Sequence, residues 1–268
     1  MLEIFQYSFM QRALIAALII GIVSPLIGTF IVFRRLSFIG DTLSHTALAG
    51  VAIGIIVGIN PIFGGMIFAV FSALAINKLR EEYKHYEELS MPIMMSAGMG
   101  LAVVLISFSG GFTINISTYL FGSIIAVTMT DLLTIVVMGI VIIITVSLLY
   151  KELLYISFDE EGAKISGIPY KKLNLVFMIL IALTIATSMR IVGILLISSM
   201  MILPVATSLQ ISKSFKQAIF LSILFAEIAT VVGFFAAYYF DLASGGTIVL
   251  VSVFLLLFII VFKKVRFN

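Results

Sequence analysis

Long apolar runs alternate with short polar connections along the whole chain. Nine runs can be bounded, at residues 12–33, 42–58, 61–79, 91–108, 131–149, 172–189, 191–209, 217–239 and 246–262. Each is near the ~20 residues that carry a helix across a hydrocarbon core. Two are short enough to be re-entrant or fused with a neighbour, so the pattern predicts eight or nine spans. The stretch 113–130 is only moderately apolar and reads as a short interfacial or half-membrane piece. In lipid the backbone must satisfy its own polar groups, and a helix does so within one segment. The predicted fold is therefore all-α, a polytopic transmembrane helix bundle forming a single domain over residues 1–268.

Composition agrees. Hydrophobic residues make up 62% of the chain and charged residues 11%, against about 45–50% and about 25% in soluble domains. Charge then sets the orientation. One set of alternate connections holds 14 of the 16 basic residues, and the other side holds only Arg12 and Arg190. The positive-inside rule predicts an external N-terminus and a cytoplasmic C-terminus in the plasma membrane. Outer connections at 60–61, 109–111 and 241–246 are short and nearly uncharged. The net charge of +3 resides in loops and suggests no nucleic-acid partner. Residues 1–11 lack Lys and Arg, and no small-residue cleavage site follows the first apolar run, so a cleaved signal is not expected.

Most acidic residues belong to loops; Glu81, Glu82, Glu87 and Glu88 share a mixed-charge connection, with His85 read as surface. Three ionisable residues fall inside spans instead. Asp41 and His45 are four residues apart at the start of the second span, and so share one helix face. Glu227 sits in the middle of the eighth. A carboxylate in lipid costs at least ~2.5–3.5 kcal/mol, so something should compensate for it. Counted from the basic edge, His45 and Glu227 both fall roughly 15–16 Å deep, near the midplane of a ~30 Å core. Gly50, Gly54 and Gly58 lie on the other side of the second span, as a small-residue packing face.

Two carboxylates and an imidazole suit Zn²⁺, Mn²⁺ or Fe²⁺. The chain has no cysteine, which excludes thiolate ligands and disulfides. Other readings of the same residues stay open. Asp41 can cap a helix or pair with Arg34 or Arg35, His45 can be a hydrogen-bonded core residue, and Glu227 can be protonated and bonded to Thr230 or serve a proton relay.

No G-x-x-x-x-G-K-[ST], H-E-x-x-H or G-x-S-x-G occurs, so neither a P-loop nor these catalytic motifs are present. If transport is ATP-driven, the motor is a separate chain. Residues 155–169 form a polar cytoplasmic connection with helix-forming character, acidic residues at its start, Lys164 further on, and Gly167 and Pro169 as stop signals. A short cytoplasmic helix is predicted.

Three stretches carry a family resemblance. Asp41-Thr42-Leu43-Ser44-His45-Thr46-Ala47-Leu48-Ala49-Gly50-Val51-Ala52 resembles the second-span signature of the ABC-type zinc/manganese permease family. Ser198-Ser199-Met200-Met201-Ile202-Leu203-Pro204-Val205-Ala206 resembles its later small-residue and proline motif. Asp159-Glu160-Glu161-Gly162-Ala163-Lys164-Ile165-Ser166-Gly167 resembles its cytoplasmic coupling segment. The likeness implies a homodimeric permease core of the type II importer kind, joined to cytoplasmic ATP-binding-cassette subunits and fed by an extracellular metal-binding solute-binding protein. It implies that Asp41, His45 and Glu227 line the metal route. It also implies that Asp159, Glu160, Glu161, Gly162, Ala163 and Gly167 belong to the segment pressing on the ATPase. The cargo is then Zn²⁺ or Mn²⁺ in transit, with no permanently bound cofactor and no enzyme activity. The wording Thr42-Leu43-Ser44-His45 and Leu48-Ala49-Gly50 is similar to the zinc branch, with a manganese or iron importer as the alternative. Rivals from other classes are a proton-coupled secondary carrier using Glu227 and, more distantly, an intramembrane hydrolase. The hydrolase needs a nucleophile beside His45, and Ser44 points about 100° away on a helix.

Overall fold

The computed structural model describes residues 7–83, 86–108, 114–123 and 126–267, with side chains 114–117, 266 and 267 excepted. His85 and the 109–111 connection lie outside the described residues. Among the described residues twelve α-helices follow one another: α1 Ser8–Phe33, α2 Ile39–Val57, α3 Pro61–Glu82, α4 Ser90–Phe108, α5 Ile114–Phe121, α6 Met129–Leu148, α7 Tyr150–Phe158, α8 Glu160–Ile165, α9 Tyr170–Val192, α10 Ile197–Leu209, α11 Phe215–Tyr239 and α12 Ser244–Phe267. No strand occurs among the described residues. Eight helical stretches there are long and apolar enough to cross a membrane: α1, α2, α3, Glu87–Phe108, α6, α9, α11 and Ser244–Val265.

The apolar run at 191–209 is not one helix, which is why it is absent from these eight, although it still carries the chain back to the basic end where α11 begins. Ile191 and Val192 finish α9, and Gly193 then turns the chain with φ +88° and ψ 145°. That backbone conformation is open essentially to glycine alone. After the turn, α10 has only 13 residues, about 20 Å of helix. Hydropathy alone cannot see a break made of apolar residues. The 113–130 stretch resolves similarly, with α5 only eight residues long.

The basic connections gather at one end of the bundle. Arg34, just past α1, donates through Nη2 to Asn174 Oδ1 at 2.6 Å and stands over the Phe177 ring at 4.7 Å. Asn174 in turn donates to Asn77 Oδ1 at 2.7 Å. Beside them Phe215 of α11 stacks edge-on against Phe30 and Phe33 of α1 at 5.1 and 4.9 Å, and against Phe158 of α7 at 5.8 Å. The predicted helix within 155–169 divides in two at Asp159. Its Oδ1 accepts the Gly162 amide at 2.8 Å, capping α8. Lys164 then bridges back to Glu160 at 2.8 Å.

At the opposite end α5 is fastened to the α9–α10 break. Ile194 N donates to Tyr119 O at 2.9 Å, and Ser123 N to Arg190 O at 3.1 Å. Arg190, counted from sequence as an outer loop charge, is part of this fastening. Its Nε lies 3.3 Å from Asp131 Oδ2 and donates to Ala126 O at 3.1 Å, and its Nη1 donates to the Tyr119 hydroxyl. Asp131 is 1% exposed and closes a capping box with Thr128 at the start of α6.

Helices in lipid gain no hydrophobic drive from meeting, so small residues that let backbones close up matter more. Gly50 does this: a Cβ there would lie 2.3 Å from Gly64 O of α3, and one on Gly64 would lie 2.4 Å from Gly50 O. Gly54 meets Pro61 in the same way. Gly58 is not part of the packed face; it ends α2 in a left-handed conformation with open space around it.

Candidate metal route

α2 carries the first two candidate ligands in its first turns. Phe38 precedes the helix without a side-chain cap, so Asp41 is not serving as the cap. Arg34 is engaged with Asn174 instead of Asp41. Asp41 is half-buried, and its Oδ1 accepts a hydrogen bond from Ser198 Oγ at the start of α10. One turn on, His45 is also half-buried, and its Nδ1 is buried with no hydrogen-bond partner among the described residues. The opposite face of α2 is taken up by α3, through Gly50 and Gly54, and Thr46 presses on Gly98 of α4. Asp41 and His45 therefore have the remaining face.

Glu227 occupies the midpoint of α11, twelve residues from Phe215 (227 − 215) and twelve from Tyr239 (239 − 227). It is half-buried. Its Oε1 is buried without a hydrogen-bond partner among the described residues, and so is Thr230 Oγ1, so the two do not bond to each other. An unpaired carboxylate oxygen at such a place is costly, and no hydrogen bond among the described residues offsets it.

The three residues are not gathered into one cluster within the chain. Among the described residues no group of three His, Cys, Asp or Glu side chains is placed to hold a metal. Asp41 and His45 share α2, Glu227 is on α11, and α10 contacts both helices. α10 contacts α1 as well, where a Cβ on Gly28 would meet Met201 O at 2.0 Å. A shift of α10 is thus felt on both sides. Sequence reasoning missed Ser198 as a partner of Asp41. The signal was a pair of serines beside the break, but nothing in the spacing says which helix they face.

At the basic end, Asn77, Arg80, Glu160, Lys164, Tyr170 and Asn174 line a polar cleft of about 540 Å³. Burial pushes the Glu160 carboxyl up, but hydrogen bonds from Lys164 and Tyr170 and the charges of Lys164 and Arg34 outweigh it and hold the carboxyl below its ordinary value.

Comparison with known proteins places this architecture. Residues 6–263 match the ABC 3 transport family. A "Probable metal transport system membrane protein" of Treponema pallidum is 39% identical over 260 residues, covering 97% of each chain. The "Manganese transport system membrane protein MntC" of Listeria monocytogenes is 36% identical, over 92% of this chain and 88% of that one. The "High-affinity zinc uptake system membrane protein ZnuB" of Haemophilus influenzae is 31% identical, over 97% and 99%. The solved structure of PsaBC from Streptococcus pneumoniae in complex with Fab superposes with a TM-score of 0.86 at 34% identity, over 96% of this chain and 92% of that one. The apolar helices among the described residues and the full-length likeness to transport subunits converge on one assignment: this multi-pass membrane chain belongs to the ABC 3 transport family and is a transport subunit, not an enzyme.

Proposed function

We propose that this chain is the membrane-spanning permease of an ATP-driven importer for a divalent transition metal. The observation that carries the reading is the pairing of Asp41 and His45 on one turn of a membrane-embedded helix, with the His45 Nδ1 left without a partner, in a chain whose named relatives transport metals. Asp41, His45 and Glu227 are the proposed ligands along the route. Since the chain alone does not cluster them, the full coordination shell forms in the working homodimer or when α10 moves. Zn²⁺ and Mn²⁺ both accept such oxygen and nitrogen donors. The second-span wording supports zinc as the cargo; manganese is the second reading, favoured by the higher identity of the manganese-named relative, 36% against 31%.

The N-terminus is external and the basic end cytoplasmic. There α7, α8 and the polar cleft meet two ATP-hydrolysing subunits, and the opposite end takes metal from a solute-binding protein. Phe158 stacks on Phe33 at 5.4 Å and on Phe215 at 5.8 Å, so a push on α7–α8 reaches α1 and α11 directly. Because α10 contacts both α2 and α11, the same push alters the separation of Asp41 from Glu227. This is an alternating-access scheme in which the site must bind weakly enough to release. The test is uptake in vesicles holding the assembled transporter, with Zn²⁺ and Mn²⁺ in competition and ATP present or withheld. ATP-dependent uptake supports the reading, and the preferred ion settles the cargo. Uptake by the chain alone without ATP would move it to a secondary carrier.

A further inference from the structure

The break after α9 puts a serine against a candidate ligand. Ser198 lies in the first turn of α10 and is buried, 6% exposed. Gly40 opposite lets α10 approach, since a Cβ there would come within 3.2 Å of Ser198 Cβ. From this position Ser198 Oγ donates to Asp41 Oδ1. The start of a helix is also the positive end of its dipole, which favours a carboxylate. Asp41 is thus held by one oxygen, and only Oδ2 is free of that bond.

That difference between the two oxygens has a chemical consequence. Zn²⁺ binds carboxylate oxygen at about 2.0–2.2 Å and needs only one oxygen from each. Ca²⁺ takes about six to eight oxygens at 2.3–2.6 Å, and a carboxylate that offers both of its oxygens helps it to reach that number. Resting on Asp41 as a ligand, we propose that Ser198 is a specificity-determining positioning residue: by taking one lone pair of Oδ1 and fixing the carboxylate against α10, it weights Asp41 toward one-oxygen ligation through Oδ2 and disfavours Ca²⁺. Ser198 does not touch the metal. It acts through Asp41 and ties the carboxylate to α10.

The experiment uses the assembled transporter in proteoliposomes, with Zn²⁺ or Mn²⁺ uptake measured against rising Ca²⁺. In Ser198→Ala the metal KM rises while kcat holds, and Ca²⁺ inhibits at about tenfold lower concentration. Ser198→Thr keeps the hydroxyl and restores both values. Unchanged Ca²⁺ inhibition in S198A, or S198T behaving like S198A, overturns the proposal. Asp41→Asn separates it from the ligand assignment. Uptake by D41N at the wild-type KM overturns the ligand reading. Loss of uptake in D41N with unaltered selectivity in S198A overturns the serine's role alone. Co-purification with the ATPase and the melting temperature report folding, and Ser198→Gly reads the same hydroxyl loss if the alanine variant does not assemble.

Discussion

Gly21 of α1 makes the room that the Glu227 carboxylate of α11 occupies. A Cβ at position 21 would lie 2.6 Å from Glu227 Oε1 and 3.3 Å from Thr230 Oγ1. The atoms it would meet are the ends of two side chains, which can move, and not helix backbone. Gly21→Ala should therefore displace the carboxylate while the α1–α11 packing survives. Alanine also favours a helix over glycine by about 1 kcal/mol, which offsets part of the crowding. The expected outcome is a rise of about tenfold in the metal KM, equivalent to about 1.4 kcal/mol of binding, with the melting temperature of the purified transporter nearly unchanged. A lower melting temperature with KM unaltered would make Gly21 a packing residue only.

The Arg190–Asp131 pair presents the opposite case, two charges that have each other as partner. Both members are largely buried, at 16% and 1% side-chain exposure, and the arginine also holds Ala126 O and the Tyr119 hydroxyl. Removing one partner from a buried pair leaves a charge with no compensation, at about 3–5 kcal/mol. Arg190→Met should sharply lower the yield and thermal stability of the folded chain. Asp131→Asn, which keeps most of the α6 cap, should be milder. Measured in detergent, the double variant should recover part of the loss of R190M, because the stranded carboxylate is gone. Additive losses would show that the two do not work as a pair.

These two sites mark what the sequence carries and what it withholds. The spans were legible because lipid demands about 20 apolar residues wherever a helix crosses, and α1, α3, α9 and α11 each satisfy that in one unbroken run. The location of Asp41, His45 and Glu227 within spans was legible for the same reason, since charges stand out in apolar text. The break at Gly193 was not, because glycine is common in membrane helices and its positive φ leaves no trace in hydropathy. Nor was the distance between α2 and α11. Residues counted from a membrane edge give depth but not lateral position, so equal depth for His45 and Glu227 said nothing of α10 lying in contact with both helices. Arg190 was assigned to the outer side by its place in the chain. Its burial depends on Asp131, Tyr119 and Ala126, which no local pattern links to it.

Phe158 tests the link between the basic end and the helices of the route. The residue is 63% exposed, yet its ring centre lies 5.4 Å from that of Phe33 and 5.8 Å from that of Phe215, so it touches α1 and α11 while remaining open to a partner. Aromatic pairs contribute about 0.5–1.5 kcal/mol beyond their buried area, so Phe158→Ala should leave the chain folded and inserted. What should fall is the number of metal ions moved per ATP hydrolysed, by severalfold, with ATP hydrolysis itself retained. Parallel measurement of hydrolysis and uptake in the same vesicles decides it, and an unchanged ratio would show that force reaches the helices by another path.

Glu160 gives a prediction in pH. It accepts a hydrogen bond from Lys164 at 2.8 Å, and although burial pushes its carboxyl up, the bonds from Lys164 and Tyr170 and the nearby Lys164 and Arg34 charges hold it below its ordinary value. A carboxyl with a depressed folded pKa binds its proton more readily in the unfolded chain, where the value is about 4.3. Its contribution to stability is therefore complete above about pH 5 and is lost as the pH falls through the lower folded value. The stability difference between wild type and Glu160→Gln should stay level from pH 8 down to about 5 and close only in more acid solution. Melting curves of the two proteins across that range measure it. A difference that already shrinks between pH 7 and 5 would mean that burial outweighs Lys164 and Tyr170 and that the carboxyl is raised.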